Sequence, residues 1–194
     1  MNVNIPKPCE QEVKKYLDLW NSLNNYVLQE RSLNKLFMET FPNNTKIEDI
    51  LIKASTLNDF YSTNIFSIFP VAEHILSLNI DERLKVGVTS LVSEIASVEI
   101  NGKKRVFYSF ATKYCSHHNK ADFPIYDSYV DKVLMFFKRK DTFENFKQSD
   151  LKNYSMYKNI LLKFAEFYGI TSYSLKDLDR YLWQLGKKHF PNKY

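Results

Sequence analysis

Apolar residues recur every three or four positions along most of the chain. One apolar stripe runs from Glu10 to Gln29, and another runs from Asp81 to Ser97. This spacing places apolar side chains on one face of an α-helix, so each stripe predicts a helix that packs through that face. Further helices are predicted over residues 32–41, 45–54, 60–76, 104–118, 125–137, 149–168 and from 174 onward. The pattern therefore predicts an all-α protein, a compact multi-helix domain with eight or nine helices.

Local signals mark where several of these helices begin and end. Pro42 is expected to stop the helix before it, and the capping-box pattern Thr45–Glu48 is expected to begin the next one. Pro70 is expected to bend the helix that contains it. Gly169 suits the position just after a helix, and Ser174 suits the cap of the last helix.

The dipeptide Asn101-Gly102 is the clearest turn signal in the chain. The strand-like residues Val98–Ile100 precede it, but a helix from Lys104 to His118 is predicted after it, so no pair of strands is predicted. No repeat of fixed period, linker or low-complexity tract interrupts the sequence. Because 194 residues suit one domain, residues 1–194 are predicted to form a single helical domain.

The composition excludes several classes of protein. Forty-four percent of the residues are hydrophobic, with 13 Tyr, 15 Phe and 2 Trp, which is ample for a core and excludes disorder as the main state. The four glycines are too far apart for a GxGxxG or GxxxxGK phosphate-binding loop, and two cysteines cannot make a disulfide framework. No apolar run approaches about 18 residues and no signal peptide is evident, so we expect a cytoplasmic protein that does not span a membrane.

The charge is unevenly distributed along the chain. Residues 1–100 carry 9 basic and 13 acidic side chains, whereas residues 101–194 carry 18 basic and 9 acidic ones. An acidic first half and a basic second half, on a chain with an isoelectric point near 9.0, suggest a polyanionic partner, most simply nucleic acid. A solvated basic surface without such a partner is the alternative on charge alone.

Two residues in the second half could carry chemistry. Lys113 lies among apolar residues, including Phe110 and Tyr114, where partial desolvation would favour a neutral, nucleophilic amine. Asp127 follows Pro124 at a predicted helix N-terminus, where its carboxylate could stabilise a cationic transition state. The alternatives are an ordinary lysine whose amine reaches solvent and an aspartate that only caps a helix.

The run Cys115–His118 could form part of a metal site. Cys115 and His118 share a helix face, but the adjacent His117 cannot join them, and the missing ligands must come from distant parts of the sequence. A buried cysteine beside two histidines at a helix end is the simpler interpretation. We therefore predict no metal.

The segment around Lys113 and Asp127 resembles the helix-hairpin-helix base-excision DNA glycosylases, the superfamily that includes endonuclease III and the 8-oxoguanine glycosylases. Thr112-Lys113 matches the position of that family's lysine, and Pro124–Val130 matches its Pro-x-Asp segment with one extra residue. Phe60–Ile65 resembles its helix-start segment, whose polar residues face the opposite strand. The three matches occur in the family's order and cover about residues 57–135.

The sequence departs from the family's pattern at several points. Ser109-Phe110-Ala111 stand where the family has a Gly-x-Gly hairpin whose backbone approaches a DNA phosphate. The separations from Asn64 to Lys113 and from Lys113 to Asp127 are shorter than usual. Ser128-Tyr129 replace the family's residue–His pair, and two cysteines cannot ligate an iron–sulfur cluster through four thiolates.

The resemblance implies an all-α enzyme that excises a damaged or modified base from DNA, with Schiff-base lyase activity as a further option. It implies that Lys113 attacks C1′ of the sugar, that Asp127 stabilises the oxocarbenium charge, and that no metal or organic cofactor is needed. The residues expected to contact DNA are Tyr61, Asn64, Lys103, Lys104, Arg105, Lys120, Tyr126, Tyr129, Lys138, Arg139 and Lys140.

Two other classes of function stay open. One is a helical nucleic-acid-binding module that has the fold without the chemistry. The other is a helical component of a defence system or of a protein complex, whose basic half meets an acidic partner.

Overall fold

The structure is a computed structural model, and it describes residues 4–191. Most of these residues are helical, which confirms the predicted helical character, but they also include one small two-stranded antiparallel sheet. The elements are α1 (Glu10–Trp20), α2 (Asn24–Asn34), α3 (Ile47–Tyr61), α4 (Ile68–Ser77), α5 (Asp81–Lys85), α6 (Ser90–Ala96), β1 (Ser97–Ile100), β2 (Lys103–Val106), α7 (Tyr108–His118), α8 (Ser128–Asp141), α9 (Tyr154–Phe167) and α10 (Leu175–His189).

Two irregular helical turns complete the secondary structure of the described residues. A π-helical turn over Lys35–Thr40 continues α2 and ends before Pro42, as the proline predicts. A 3₁₀ turn over Gln148–Lys152 precedes α9. The described chain therefore holds ten α-helices, more than the eight or nine that periodicity predicts.

The chain divides into two compact units. The central unit comprises residues 25–125, and the terminal unit comprises residues up to 24 together with those from 126 onward. The terminal unit carries 16 basic and 11 acidic side chains, whereas the central unit carries 11 of each. The net charge of +5 therefore belongs to the terminal unit. The single domain over residues 1–194 stays a prediction.

In the central unit, α7 is the most enclosed element. Its residues from Phe110 to His117 are all buried, because α3 and α6 pack against it. A helix that is buried on every side brings its polar residues into the interior, where they need partners. The helix therefore positions the chemistry-bearing side chains of this unit.

The two-stranded sheet differs from the sequence-based prediction, and it corrects the start of the helix predicted from Lys104 to His118. Lys103–Val106 pairs in register with Ser97–Ile100, and α7 begins only at Tyr108. Asn101 and Gly102 both have positive φ values, 53° and 69°, which suits a tight hairpin turn between antiparallel strands. The turn therefore determines the conformation of this segment, although β2 contains two lysines, a residue type that is uncommon in strands.

Left-handed backbone interrupts two predicted helices. Ser62 and Asn64 have φ values of 47° and 58°, so the helix predicted over residues 60–76 ends at Tyr61 and a new one begins at Ile68. Pro70 lies in the first turn of α4, where proline is tolerated, and does not bend a continuous helix. The helix predicted from Asp81 to Ser97 is interrupted in the same way at Gly87, with a φ of 71°.

Helix caps agree with the sequence in one place and differ in others. Ser174 caps α10 in a capping box with Asp177, as expected. The capping box predicted at Thr45–Glu48 is wrong, because Lys46 occupies the N-cap position of α3 and makes no side-chain cap. The helix predicted to begin at residue 125 begins at Ser128 instead.

In the terminal unit, α10 packs against α1 and α8. Gly186 makes the close approach to α8 possible, because a Cβ at this position would lie 2.6 Å from the carbonyl oxygen of Tyr129. No such atom can fit without movement of the α8 backbone. This contact fixes the N-terminal turn of α8, the turn that follows Asp127.

Candidate functional site

Three polar residues lie in a row along one face of α7. Ser109, Lys113 and His117 are spaced four residues apart, so their side chains stack along the helix. The amine of Lys113 donates a hydrogen bond of 2.6 Å to Oγ of Ser109. The helix itself therefore sets the position of the lysine amine.

Tyr61, the last residue of α3, lies against this row. The Lys113 amine is 5.2 Å from the centroid of the Tyr61 ring, a cation–π distance. The Tyr61 hydroxyl lies 3.0 Å from Nε2 of His117, within hydrogen-bond distance. Tyr61, Ser109, Lys113 and His117 form what we call the Lys113 cluster.

Two residues of the Lys113 cluster are shielded from solvent, whereas Tyr61 and Ser109 are half-buried. Lys113 is only 2% exposed and His117 is 7% exposed, although both carry polar or ionisable groups. Burial of an ammonium group is unfavourable unless it has partners, and lysine is almost never fully buried without them. The structure therefore places Lys113 in the desolvated setting that the sequence predicts for it.

A second buried lysine, Lys53, lies in the same unit, and sequence analysis missed it. It is fully buried, and its amine donates to the carbonyl oxygens of Phe41 (3.0 Å) and Asn43 (2.9 Å) and to Oδ1 of Asn44 (2.7 Å). Burial lowers the pKa of Lys53 to about 8, although Asp81 and Asp49 act in the opposite direction. The sequence signal for its burial is its position on the apolar face of α3, between Ile50 and Leu57.

The network around Lys53 holds a loop in place. The backbone N–H of Asn44 donates to both carboxylate oxygens of Asp81, at 3.1 and 2.9 Å, and the Tyr114 hydroxyl donates to Oδ1 of Asn44 at 2.6 Å. His118 lies beside Lys53, with 3.3 Å between Nε2 and the amine. These contacts account for Lys53 and His118 as structural groups.

The run Cys115–His118 does not have the features of a metal centre. Burial raises the pKa of the Cys115 thiol, which disfavours the thiolate that a metal would bind. The rings of His117 and His118 both pack against Phe37, but their Nε2 atoms lie beside different polar groups, the Tyr61 hydroxyl and the Lys53 network. Within residues 4–191, no group of three or more His, Cys, Asp and Glu side chains is placed to hold a metal ion.

Asp127 belongs to the terminal unit and caps α8. Its Oδ1 accepts a hydrogen bond of 2.9 Å from the backbone N–H of Tyr129, and its backbone is extended. The capping position expected for this residue is therefore present. Its part in any reaction stays a prediction.

The two tyrosines near Asp127 that are expected to contact DNA already have protein neighbours. Tyr126 is 5% exposed, and the amine of Lys152 lies 3.9 Å from its ring centroid. Tyr129 packs edge to face against Trp183 at 6.4 Å, with the amine of Lys132 5.3 Å from its ring centroid. Both rings pack within the terminal unit.

The predicted DNA-contacting cations fall into two groups. Lys103, Lys104 and Arg105 are exposed along β2, and Lys120 is exposed after α7. Lys138 donates to the carbonyl of Phe146 and Lys140 donates to that of Ile5 at 3.0 Å, so both hold neighbouring chain segments. The remaining predicted contacts, Asn64 and Arg139, are exposed.

The part of the chain from residue 4 to residue 191 holds no helix that is long and apolar enough to span a membrane.

Comparison with known proteins gives a family without an assigned activity. Residues 12–122 match the family HI_0787_N, described as an N-terminal domain, and this match includes Tyr61 and Lys113. The chain is 53% identical over 148 residues to a Haemophilus influenzae protein named "Uncharacterized protein", and the alignment covers 76% of this chain and 71% of that protein. No solved structure matches significantly. The resemblance to DNA glycosylases stays a prediction, and the chain belongs to the HI_0787_N family.

Proposed function

We propose that this chain is a DNA glycosylase that removes a damaged or modified base and uses Lys113 as its nucleophile. The observation that carries the proposal is the buried amine of Lys113, positioned by Ser109 and Tyr61. An amine that is kept from bulk water and fixed in direction is suited to covalent catalysis. A cytoplasmic location is part of the same proposal, because DNA is the substrate.

The proposed reaction begins when the target nucleotide turns out of the duplex, since a stacked base is out of reach. The lone pair of the neutral Lys113 amine attacks C1′ of the sugar, and the bond between C1′ and the base nitrogen breaks. The base leaves with the bonding electron pair and takes up a proton from water. The ring oxygen then leaves C1′ with the bonding electron pair and takes up the proton that the amine loses, so a protonated Schiff base forms between Lys113 and C1′.

Asp127 has the complementary role in this proposal. Positive charge develops on the sugar as the base leaves, and the resemblance gives Asp127 the part of the carboxylate that stabilises this charge. The hydrogen bond from the Tyr129 N–H fixes the direction of the Asp127 carboxylate before substrate arrives. Exposed Lys103, Lys104 and Arg105 on β2 would bind the phosphate backbone.

The test is single-turnover base release and borohydride trapping on a panel of duplexes that carry modified bases. We expect the wild-type protein to form a trapped adduct on at least one substrate. Lys113→Gln should bind the same duplex and form no adduct. Lys85→Gln, which changes an exposed lysine on α5, should behave as wild type. Absence of both base release and adduct across the panel would refute the glycosylase.

The second candidate is a nucleic-acid-binding module without chemistry. It is favoured by the exposed basic strand β2, which needs no buried amine to contact phosphates. In that case Lys113→Gln should leave the salt-dependent binding of DNA unchanged, and no substrate should be trapped. Binding that does not depend on salt, or no binding at all, would instead favour the helical component of a defence system or protein complex.

A further inference from the structure

The terminal unit contains a cavity of about 470 Å³, widely open to solvent, next to the first turn of α8 and the 3₁₀ turn at Gln148–Lys152. A space of this size can hold a ligand as large as a nucleotide. The Lys113 cluster belongs to the central unit, whereas all residues that line the cavity belong to the terminal unit.

A buried carboxylate organises the wall of this cavity. Asp131 is 4% exposed, its Oδ2 accepts from the Tyr126 hydroxyl at 2.7 Å, and its Oδ1 accepts from Nε2 of Gln148 at 2.8 Å. Both carboxylate oxygens therefore already have a donor inside the protein. The carboxylate fixes the tyrosine and the glutamine in place instead of presenting an open acceptor to a ligand.

The other polar groups that line the cavity are mainly donors. They are the ammonium groups of Lys132 and Lys152 and the hydroxyls of Ser128 and Ser149. Lys152 is held over the Tyr126 ring, 3.9 Å from its centroid. Lys132 is 3.4 Å from the carbonyl oxygen of Phe190, a long contact that a flexible side chain can exchange for a better acceptor. Such a set of donors fits an oxyanion.

The charge of the surroundings agrees with an anionic ligand. The cavity is lined by two cationic side chains and one anionic side chain, and the terminal unit carries all of the net positive charge of the chain. Burial lowers the pKa of Lys152, and Asp131 opposes this effect. A bound anion would favour the charged form of Lys152 in the same way as Asp131 does.

We propose that this cavity binds a phosphate group, and that the phosphate belongs to the backbone of a nucleic-acid strand. The assignment to a strand rests on the proposed function, whereas binding of the phosphate group itself does not. In this assignment Lys152 and Lys132 bind the phosphate oxygens, and Ser128 and Ser149 donate to them. Asp131 acts as a positioning residue that fixes the cavity wall through Tyr126 and Gln148.

The test uses amide NMR spectra of the full chain, titrated first with inorganic phosphate and then with a short DNA duplex. We expect saturable shifts at residues 126–132 and 148–152. Lys152→Met should weaken phosphate binding about tenfold or more, and Lys152→Arg, which keeps the charge, should retain most of it. Lys163→Met is the matched control, because Lys163 lies on α9 and pairs with Glu166 at 2.9 Å.

The outcomes separate the two sources of phosphate and the two proposals. Displacement of inorganic phosphate by the duplex supports a phosphate of the DNA backbone as the ligand. Phosphate binding without such displacement refutes that assignment, and the ligand is then a free phosphate or a nucleotide. No saturable shift, or equal binding by Lys152→Met and wild type, refutes the cavity as a phosphate site. Saturable phosphate binding by a wild-type protein that forms no borohydride-trapped adduct would count against the glycosylase and would leave the phosphate site standing.

Discussion

The amine of Lys113 donates a 2.6 Å hydrogen bond to the hydroxyl of Ser109, one helical turn earlier on α7. Both residues lie on the helix face that also carries His117, and the ring of Tyr61 lies across it. Because the hydroxyl and the amine belong to the same rigid helix, the direction of the amine depends little on loop conformation. Ser109 is therefore a positioning residue in the proposed reaction.

Removal of this hydroxyl should affect chemistry more than binding. Ser109→Ala should slow borohydride trapping by roughly tenfold, because the amine loses the acceptor that directs it. The affinity for duplex DNA should change less than twofold, because the phosphate contacts are assigned to other residues. Ser109→Thr keeps the hydroxyl and should trap at nearly the wild-type rate. Equal trapping by Ser109→Ala and wild type would remove Ser109 from the mechanism.

The Asp127 carboxylate can be tested without loss of its cap. Asp127→Asn keeps an oxygen that accepts from the Tyr129 N–H, so the free energy of unfolding should change by less than about 0.5 kcal/mol. Without the negative charge, single-turnover base release should fall about 100-fold, which corresponds to roughly 3 kcal/mol of barrier. An unchanged rate of release would leave Asp127 as a helix cap only.

Lys53 should stabilise the central unit. Lys53→Met leaves the carbonyl oxygens of Phe41 and Asn43 without the amine that they accept from. The free energy of unfolding, measured with urea, should fall by about 2–4 kcal/mol. Lys85→Met, at an exposed position on α5, should have little effect. Equal stability of the two variants would show that the network around Lys53 contributes little.

The stabilising effect of Lys53 should also depend on pH. Burial lowers the pKa of its amine from the usual 10.5 to about 8, so the unfolded chain binds this proton more tightly than the folded chain does. Between these two pH values the unfolded state holds more protons, and stability therefore rises with pH. The difference in unfolding free energy between wild type and Lys53→Met should increase as the pH rises from about 8. A difference that falls over this range would contradict the lowered pKa.

The close approach of α10 to α8 at Gly186 should tolerate no side chain. A Cβ there would lie 2.6 Å from the Tyr129 carbonyl oxygen and 2.7 Å from the Tyr129 Cβ. Gly186→Ala should lower the unfolding free energy by about 1–3 kcal/mol, because backbone of α8 has to move. Lys187→Ala, at the next and exposed position of α10, is the control. Thermal melts measure the difference: Gly186→Ala should melt at a lower temperature than Lys187→Ala, and equal melting temperatures would contradict the close packing.

Much of the helical framework could be predicted from the sequence. The stripe of α10 and its Ser174–Asp177 capping box are local features, and the structure contains both. The ends of other helices depend on left-handed residues such as Ser62 and Asn64, which are not glycines and carry no strong signal. The sequence predicts the turn at Asn101-Gly102 but not the hairpin, because the helical spacing of apolar residues continues back to Lys104.

The candidate site was predictable only in part. An apolar setting for Lys113 follows from the residues next to it in the sequence, and the structure agrees. Its contact with Tyr61 joins the end of α3 to α7, a tertiary relationship that helical spacing cannot give. The Lys53 network depends on Asn44 and Asp81, which lie 37 residues apart and meet only in the folded chain.

Mass spectrometry of the borohydride-trapped adduct tests the central claim most directly. After reduction, the Schiff base becomes a stable secondary amine between the protein and C1′ of the sugar, and proteolysis then locates the modified residue. We predict a sugar adduct on the peptide that contains Lys113, with fragment ions that place it on the Lys113 amine. Adducts at another lysine, or no adduct on any substrate that the wild-type protein binds, would contradict Lys113 as the nucleophile.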